Sequence, residues 1–274
     1  MKLYNCCKIC DAPINPLLPI KKIVECSKCK LIFFQENLSD EEVLKLYRDL
    51  YDSGNDPAYH AHLRQQQLIS RGLQPKMGYN KRVIIDKIIQ SNLSSIAEIG
   101  AGVGVVGKYL TKRQFKYTGI ELDEAIAMKA NEAGINIQTG SFVNLQAYPN
   151  SFDALMAFEV IEHIDNLKLC LTLVYKALSG KGKFGFTVPN FNKRKNYKNA
   201  HESLYQPNPP VHVNFFTTEN IPLILKFFGF RIEFIRTRPF PDLNFKRKQT
   251  YIHVLQALRG NFEGSTIMCI AVKT

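Results

Sequence analysis

Between residues 94 and 110 the chain reads SSIAEIGAGVGVVGKYL, and this stretch limits the fold more than any other. Ile96, Ala97 and Ile99 form a short apolar run. Gly100, Gly102 and Gly104 break it, and Val105, Val106, Tyr109 and Leu110 then recur at helical spacing. A buried strand that turns through glycines into a helix puts bare backbone at the carboxyl edge of a parallel sheet, where open α/β folds hold small ligands. The chain beyond keeps the alternation. Strands are expected at 117–121, 135–139, 152–158, 182–188, 230–236 and 265–273, with helical segments from 105 to about 112 and at 124–133, 159–178 and 217–228. Apolar strands alternating with amphipathic helices imply a mostly parallel sheet covered on both faces.

The glycines fit two registers. Gly102-x-Gly104-x-x-Gly107 matches the dinucleotide fingerprint, with Glu121 near the place of its ribose-binding acid. Glu98-x-Gly100-x-Gly102-x-Gly104 instead sets Gly100 directly at the strand end, where the tight turn belongs. A dinucleotide needs its pyrophosphate against a helix N-terminus; a cofactor lacking phosphate needs only close backbone approach. The second register resembles the glycine loop of class I S-adenosylmethionine-dependent methyltransferases.

Four later segments extend that resemblance in the same order. They are GIELD, DALMAFEVIEHI, FTVPNF and HVNFFTTENIPLILKFFGF. Together, over about 95 to 235, they look like the ubiquinone-biosynthesis O-methyltransferase type. The resemblance implies an α/β Rossmann-like class I sheet, mostly parallel, with an antiparallel closing strand. It also implies S-adenosylmethionine as cofactor. Glu98, Gly100, Gly102 and Gly104 would lie along its aminocarboxypropyl chain, and Glu121 would take both ribose hydroxyls. Ser141 and Phe142 would meet the adenine, and Ala101, Leu122, Phe158 and Glu159 would complete the contacts. One position departs from the pattern: after the third strand the usual acidic residue is absent, and the run is TGSFVNL.

Five of the seven cysteines lie in the first 29 residues. Cys7-x-x-Cys10 and Cys26-x-x-Cys29 stand fifteen residues apart, the spacing of a zinc ribbon in which two tight turns present four thiolates to one Zn²⁺. Disulfide pairing is the competing reading, and Cys6 competes with Cys7 as a ligand. A module of about 35 residues buries too little to fold unaided, which favours a metal. Cys170 and Cys269 sit in apolar runs and are expected in the core. The segment CSKCKLIFFQENLSDEEVLKLYRDLYDSG is similar to the zinc-ribbon lead-in of methyltransferases from sugar and surface-polysaccharide pathways. The expected organisation is a ribbon at 1–36, a helical lead-in at 37–92 and a cofactor-binding domain at 93–274. The lead-in opens on a capping box at Ser39 and Glu42 and continues through helices at 58–72 and 80–91. Within the last domain, the polar, basic, proline-rich run 189–213 reads as an acceptor-site insertion.

Lys and Arg number 36 against 24 acidic residues, a formal charge of +12. That balance suits an anionic partner or simply aids solubility. The chain has no apolar run of bilayer length, and MKLYNCCKIC lacks a secretory h-region, so a cytosolic location is expected. Glu159, Glu162 and His163 stand at i, i+3 and i+4, so a helix beginning at 159 would gather them on one face. His163 is the candidate general base, or else a structural histidine bonded to a nearby carbonyl. His212 is a second candidate, or a loop anchor, and Glu162 is grouped with them. Glu159, Glu162, His163 and His212 also resemble the two-carboxylate, two-imidazole metal set of the small-RNA 3′-terminal 2′-O-methyltransferases. Tyr197, His201, Tyr205 and the basic run 193–198 are expected to cover the acceptor. The expected acceptor is a small-molecule or glycan-linked hydroxyl, neutral or anionic, with RNA as the alternative partner.

Overall fold

The protein is described from a computed structural model, covering residues 2–19, 22–37, 42, 57–90, 93–194, 212–241 and 248–274. The helix expected from Ser39, most of the 189–213 insertion, and Tyr197, His201 and Tyr205 lie outside the described residues.

The element order is β1 (Lys2–Leu3), β2 (Ile14–Leu18), β3 (Ile23–Cys26), β4 (Ile32–Phe34), β5 (Glu36–Asn37), α1 (Pro57–Ser70), α2 (Tyr79–Ile89) and β6 (Ser95–Ile99). Next come α3 (Val105–Thr111), β7 (Lys116–Glu121), α4 (Glu124–Glu132), β8 (Ile137–Thr139), β9 (Phe152–Phe158), α5 (Leu167–Ala177) and β10 (Leu178–Pro189). The chain ends with α6 (Phe191–Arg194), β11 (Asn214–Phe215), α7 (Asn220–Phe227), β12 (Phe230–Thr237), α8 (Lys248–Leu258) and β13 (Thr266–Lys273). Seven strands form the main sheet in the order β12-β13-β10-β9-β6-β7-β8. β13 pairs antiparallel with both its neighbours, and the remaining pairs are parallel.

Period-two alternation builds the two faces. Along β9, Leu155 and Ala157 join the apolar cluster on one side, with Leu171 and Val174 of α5 and Ile221 and Ile224 of α7. Ala154, Met156 and Phe158 join the other, with Ile84, Ile85 and Ile88 of α2 and Val106 and Leu110 of α3. Cys170 and Cys269 are fully buried in the first cluster, as expected of plain core residues. Both faces being covered explains why these strands read as continuous apolar runs.

The N-terminal residues make a second sheet, in the order β11-β4-β3-β2. Its outer strand belongs to the far half of the sequence: Asn214 pairs with Phe33 and Phe215 with Ile32. Backbone hydrogen bonds therefore cross the boundary expected after residue 36. Cys7, Cys26, Cys29, Leu31 and Phe33 pack in the same apolar cluster as α5 and β10.

One expectation fails. The helix after β9 does not begin at Glu159. Residues 159–166 form turns, and α5 starts at Leu167, where the Asn166 side chain caps it by accepting from Leu169 N. Glu159 has φ +57°, outside helical space. Helical spacing therefore does not bring Glu159, Glu162 and His163 together.

Candidate active site

The glycine turn sits at the carboxyl ends of β6 and β7. Gly100 N and Ala101 N both donate to Ile120 O, at 2.9 and 3.1 Å, which locks the turn to the neighbouring strand. Gly100 has φ +70°, and a Cβ there would stand 2.5 Å from Val160 Cγ2. A side chain at 100 would thus be strained and would strike the turn that follows β9. Gly107 is required for another reason: a Cβ would meet Tyr117 Cε1 at 2.4 Å, so the residue lets α3 lie close on the sheet. Packing therefore accounts for the third glycine of the dinucleotide-like register. Gly104 is the residue before α3, backed by Ile135.

Glu121 ends β7 beside this turn. Its carboxylate accepts from Gly102 N at 2.7 Å and from Asp123 N at 3.1 Å. Leu122, next to it, is 49% exposed. Ser141 caps the turn Phe142–Ala147 by accepting from Val143 N, and Phe142 packs partly buried against the core. Glu98 is buried and accepts a hydrogen bond from Tyr117 Oη. Burial pushes its carboxyl up to about 7, while the cation of Lys81 and the Tyr117 bond hold it down.

Lys81 of α2 joins these residues, without any motif that marks it. Its ammonium lies over the ring of the buried Phe158, 5.2 Å from the centroid, and its charge acts on Glu98. An anionic and a cationic group so placed beside bare backbone suit a zwitterionic amino-acid tail. Glu121 at the end of β7 suits a diol. These residues fit S-adenosylmethionine.

The second half of the site faces this turn from the end of β9. Glu162, His163 and His212 bring one ligand atom each within 4.8 Å of one another, and Glu159 is not in the group. Glu162 is 1% exposed. His163 Nε2 lies 3.8 Å from Glu162 Oε1, and the two imidazoles meet edge to face with centroids 4.6 Å apart. Long-range bonds do the gathering that a helix was expected to do. Val213 N and Asn214 N both donate to Glu162 O, at 2.8 and 3.0 Å. The buried Asn214 amide donates to Ile161 O and Ile164 O, at 2.9 and 2.7 Å. Asn214 too escaped the sequence reading, because an Asn before two phenylalanines carries no mark of its role.

Cys7, Cys10, Cys26 and Cys29 form one cluster, with Sγ atoms within 4.8 Å. Cys7 and Cys29 have their sulfurs 3.6 Å apart, and Cys10 and Cys26 3.4 Å. Four sulfurs at about 2.3 Å from a tetrahedral zinc would stand roughly 3.8 Å apart, so the donor set fits. Backbone amides point at the sulfurs: Ile9 N to Cys7, and Lys28 N and Cys29 N to Cys26, at 3.3–3.4 Å. The Cys7 thiol is drawn down to about 5, mainly by its bond with Cys29, whose own thiol is pushed up by the same contact. None of the four is in a disulfide, and Cys6 is exposed and outside the cluster.

A family model described as a methyltransferase domain matches residues 61–233, more than half of the chain. The ubiquinone biosynthesis O-methyltransferase of Pseudomonas fluorescens is 22% identical over 117 residues, 40% of this chain and 50% of that protein. The chain thus spans about half the length of this curated relative. Among solved structures, an S-adenosylmethionine-dependent methyltransferase from Mesorhizobium loti aligns with TM-score 0.54 and 14% identity, covering 72% of this chain and 99% of that one. A Haloferax volcanii complex of a methyltransferase with the Trm112 methyltransferase activator aligns with TM-score 0.56 and 13% identity, covering 82% and 96%. The glycine turn at the switch point of the β12-β13-β10-β9-β6-β7-β8 sheet and the family match agree: the chain belongs to the methyltransferase-domain family, with the fold of the class I S-adenosylmethionine-dependent enzymes.

Proposed function

We propose that the protein transfers a methyl group from S-adenosylmethionine to a hydroxyl of a small or glycan-linked acceptor, and that its four N-terminal cysteines hold a structural zinc. The observation that carries the reading is the Glu162–His163–His212 cluster, set at the carboxyl edge of the sheet beside Gly100 through Val160. When bound, the cofactor supplies the electrophilic methyl. The chain's own residues do the rest. Lys81 and Glu98 hold the carboxylate and ammonium of the amino-acid tail, and Glu121 takes the ribose hydroxyls. Gly100, Ala101 and Gly102 allow close approach, while Leu122, Ser141 and Phe142 border the adenine.

An alcohol must lose its proton as the new bond forms, so a base beside it is worth about 10²- to 10⁴-fold. His163, partly exposed, accepts that proton at a ring nitrogen. Glu162, buried against both imidazoles, stabilises the imidazolium, and His212 orients the pair. Alignment of the two reactants is the other large contribution, roughly 7 to 11 kcal/mol in well-held cases. The likeness to the ubiquinone-biosynthesis enzyme favours oxygen as the atom methylated. Among the described residues no helix is long and apolar enough to cross a membrane.

The test is transfer of tritium from methyl-labelled S-adenosylmethionine into fractionated cell extract. Label in small molecules or glycans is expected. Label confined to RNA, with affinity falling steeply as salt is added, would replace this acceptor with RNA.

A further inference from the structure

We propose that the N-terminal ribbon is the positioning device for the acceptor half of the site: Lys8, through Asp165, and strand β4, through β11, hold the Glu162–His163–His212 cluster in place. The inference rests on the reading of that cluster as the acceptor-side machinery.

Two braces run from the ribbon to the cluster. In the first, Lys8 stands between the two cysteines of its turn, with a side chain only 3% exposed. Its ammonium reaches Asp165 Oδ1 at 3.2 Å, and Tyr4 Oη donates to Asp165 Oδ2 at 2.8 Å. The same ammonium lies over the rings of Tyr4 and Phe33, at 5.5 and 5.3 Å from their centroids. Asp165 closes the turn that carries Glu162 and His163. Both oxygens of its carboxylate are therefore committed to the ribbon, 157 and 161 positions away in sequence.

The second brace is backbone. Phe34 N donates to Val213 O at 3.0 Å, and β11 adds to the edge of β4. Val213 and Asn214 in turn donate their amides to Glu162 O. His212 lies two residues before this strand, next to Val213, so the ribbon edge fixes where its imidazole falls. Asn220 Nδ2 ties Lys30 O and Phe215 O together at 3.1 Å each, closing the joint.

A buried ion pair costs desolvation that its attraction barely offsets, so such a pair contributes little net stability. Its value here is register: a fixed carboxylate position at the end of a turn that has no helix of its own. Glu98 accepts from Tyr117, and Glu121 from Gly102 and Asp123, none of them in the ribbon, so the proposal expects cofactor binding to survive loss of the brace.

Lys8→Met in the full chain keeps the buried methylenes and removes the charge. Calorimetry with S-adenosylmethionine should give an affinity within twofold of the parent. Hydrogen exchange at the amides of Val213 and Asn214 should speed up at least tenfold relative to the amides of β9, and tritium transfer into the extract's acceptor pool should fall at least tenfold. Asp165→Asn, milder because the amide still accepts from Tyr4, should move the same readouts in the same direction by less, and Asp165→Glu should restore part of the transfer. Unchanged exchange and transfer, or an affinity that falls in parallel with transfer, overturns the proposal. Failure of the unmodified protein to bind S-adenosylmethionine would strike the methyltransferase reading instead, leaving the exchange arm to decide the brace.

Discussion

Glu98, the glycine turn, Glu121 and Ser141 come from one continuous run of chain, and the bonds that fix them are between neighbouring strands and turns. The cluster of Glu162, His163 and His212 is assembled otherwise, from the turn after β9 and a residue two positions before β11, braced by the ribbon 157 positions upstream. The first half is held by local geometry, and glycine is the residue type that such geometry demands. The second is held by side chains and backbone meeting across great sequence distance, where nearly any residue type can serve. Local assembly should resist damage elsewhere in the molecule; remote assembly should not.

The largest test of this contrast is loss of the cysteine cluster. Structural zinc sites contribute on the order of 10 kcal/mol to folding. Chelation, or Cys26→Ser, should expose residues 2–37 to protease and free β11 with them. Binding of S-adenosylmethionine should survive at least in part. Elemental analysis should find one zinc per chain, and none at all would end the zinc assignment. Simultaneous collapse of both halves would erase the contrast drawn here.

Next in size is His163→Ala. Transfer should drop about a hundredfold, within the range for losing a positioned base, with cofactor affinity almost unchanged. An unchanged rate would leave His163 a structural residue. Glu121→Ala addresses the opposite half and should cost more than tenfold in affinity for S-adenosylmethionine, without exposing the ribbon to protease. Near-normal affinity by calorimetry would remove Glu121 from the ribose.

Legibility in the sequence divides along the same line. Strand, glycines and helix could be read because each constraint acts within a few residues. The seven strands alternate with helices as expected because each buries a regular stripe. The cysteine pairs could be read because metal spacing is itself a local signal, and the four sulfurs do converge. Lys81 was hidden because a lysine on an amphipathic helix looks like part of a solvated face. β11 was hidden because two residues are too few to show a period. The start of α5 was misplaced because EVIEHIDN carries apolar residues at near-helical spacing, while a positive φ at Glu159 and the cap at Asn166 make it a turn. The ion pair of Lys8 with Asp165 leaves no trace in either segment alone.

The smallest expected effect concerns Glu98, whose carboxyl is raised from 4.5 to about 7, chiefly by burial. A carboxyl raised on folding binds its proton more tightly in the folded state. The unliganded fold therefore enjoys this group's stabilising contribution below about pH 4.5 and loses it as pH rises toward 7, by up to roughly 3 kcal/mol. Cofactor binding should run the other way, because only the carboxylate pairs with an ammonium. Affinity for S-adenosylmethionine should weaken up to about tenfold from pH 8 to pH 6 in the parent protein. Glu98→Gln, which cannot titrate, should flatten both dependences over this window, and the difference between the two proteins isolates Glu98 from every other group. Opposite slopes for stability and affinity would mark Glu98 as a buried acid whose charge is called up by the cofactor's amino group. Parallel slopes would place Glu98 in the framework of β6, bonded to Tyr117, and leave Lys81 as the polar anchor of the glycine-turn half.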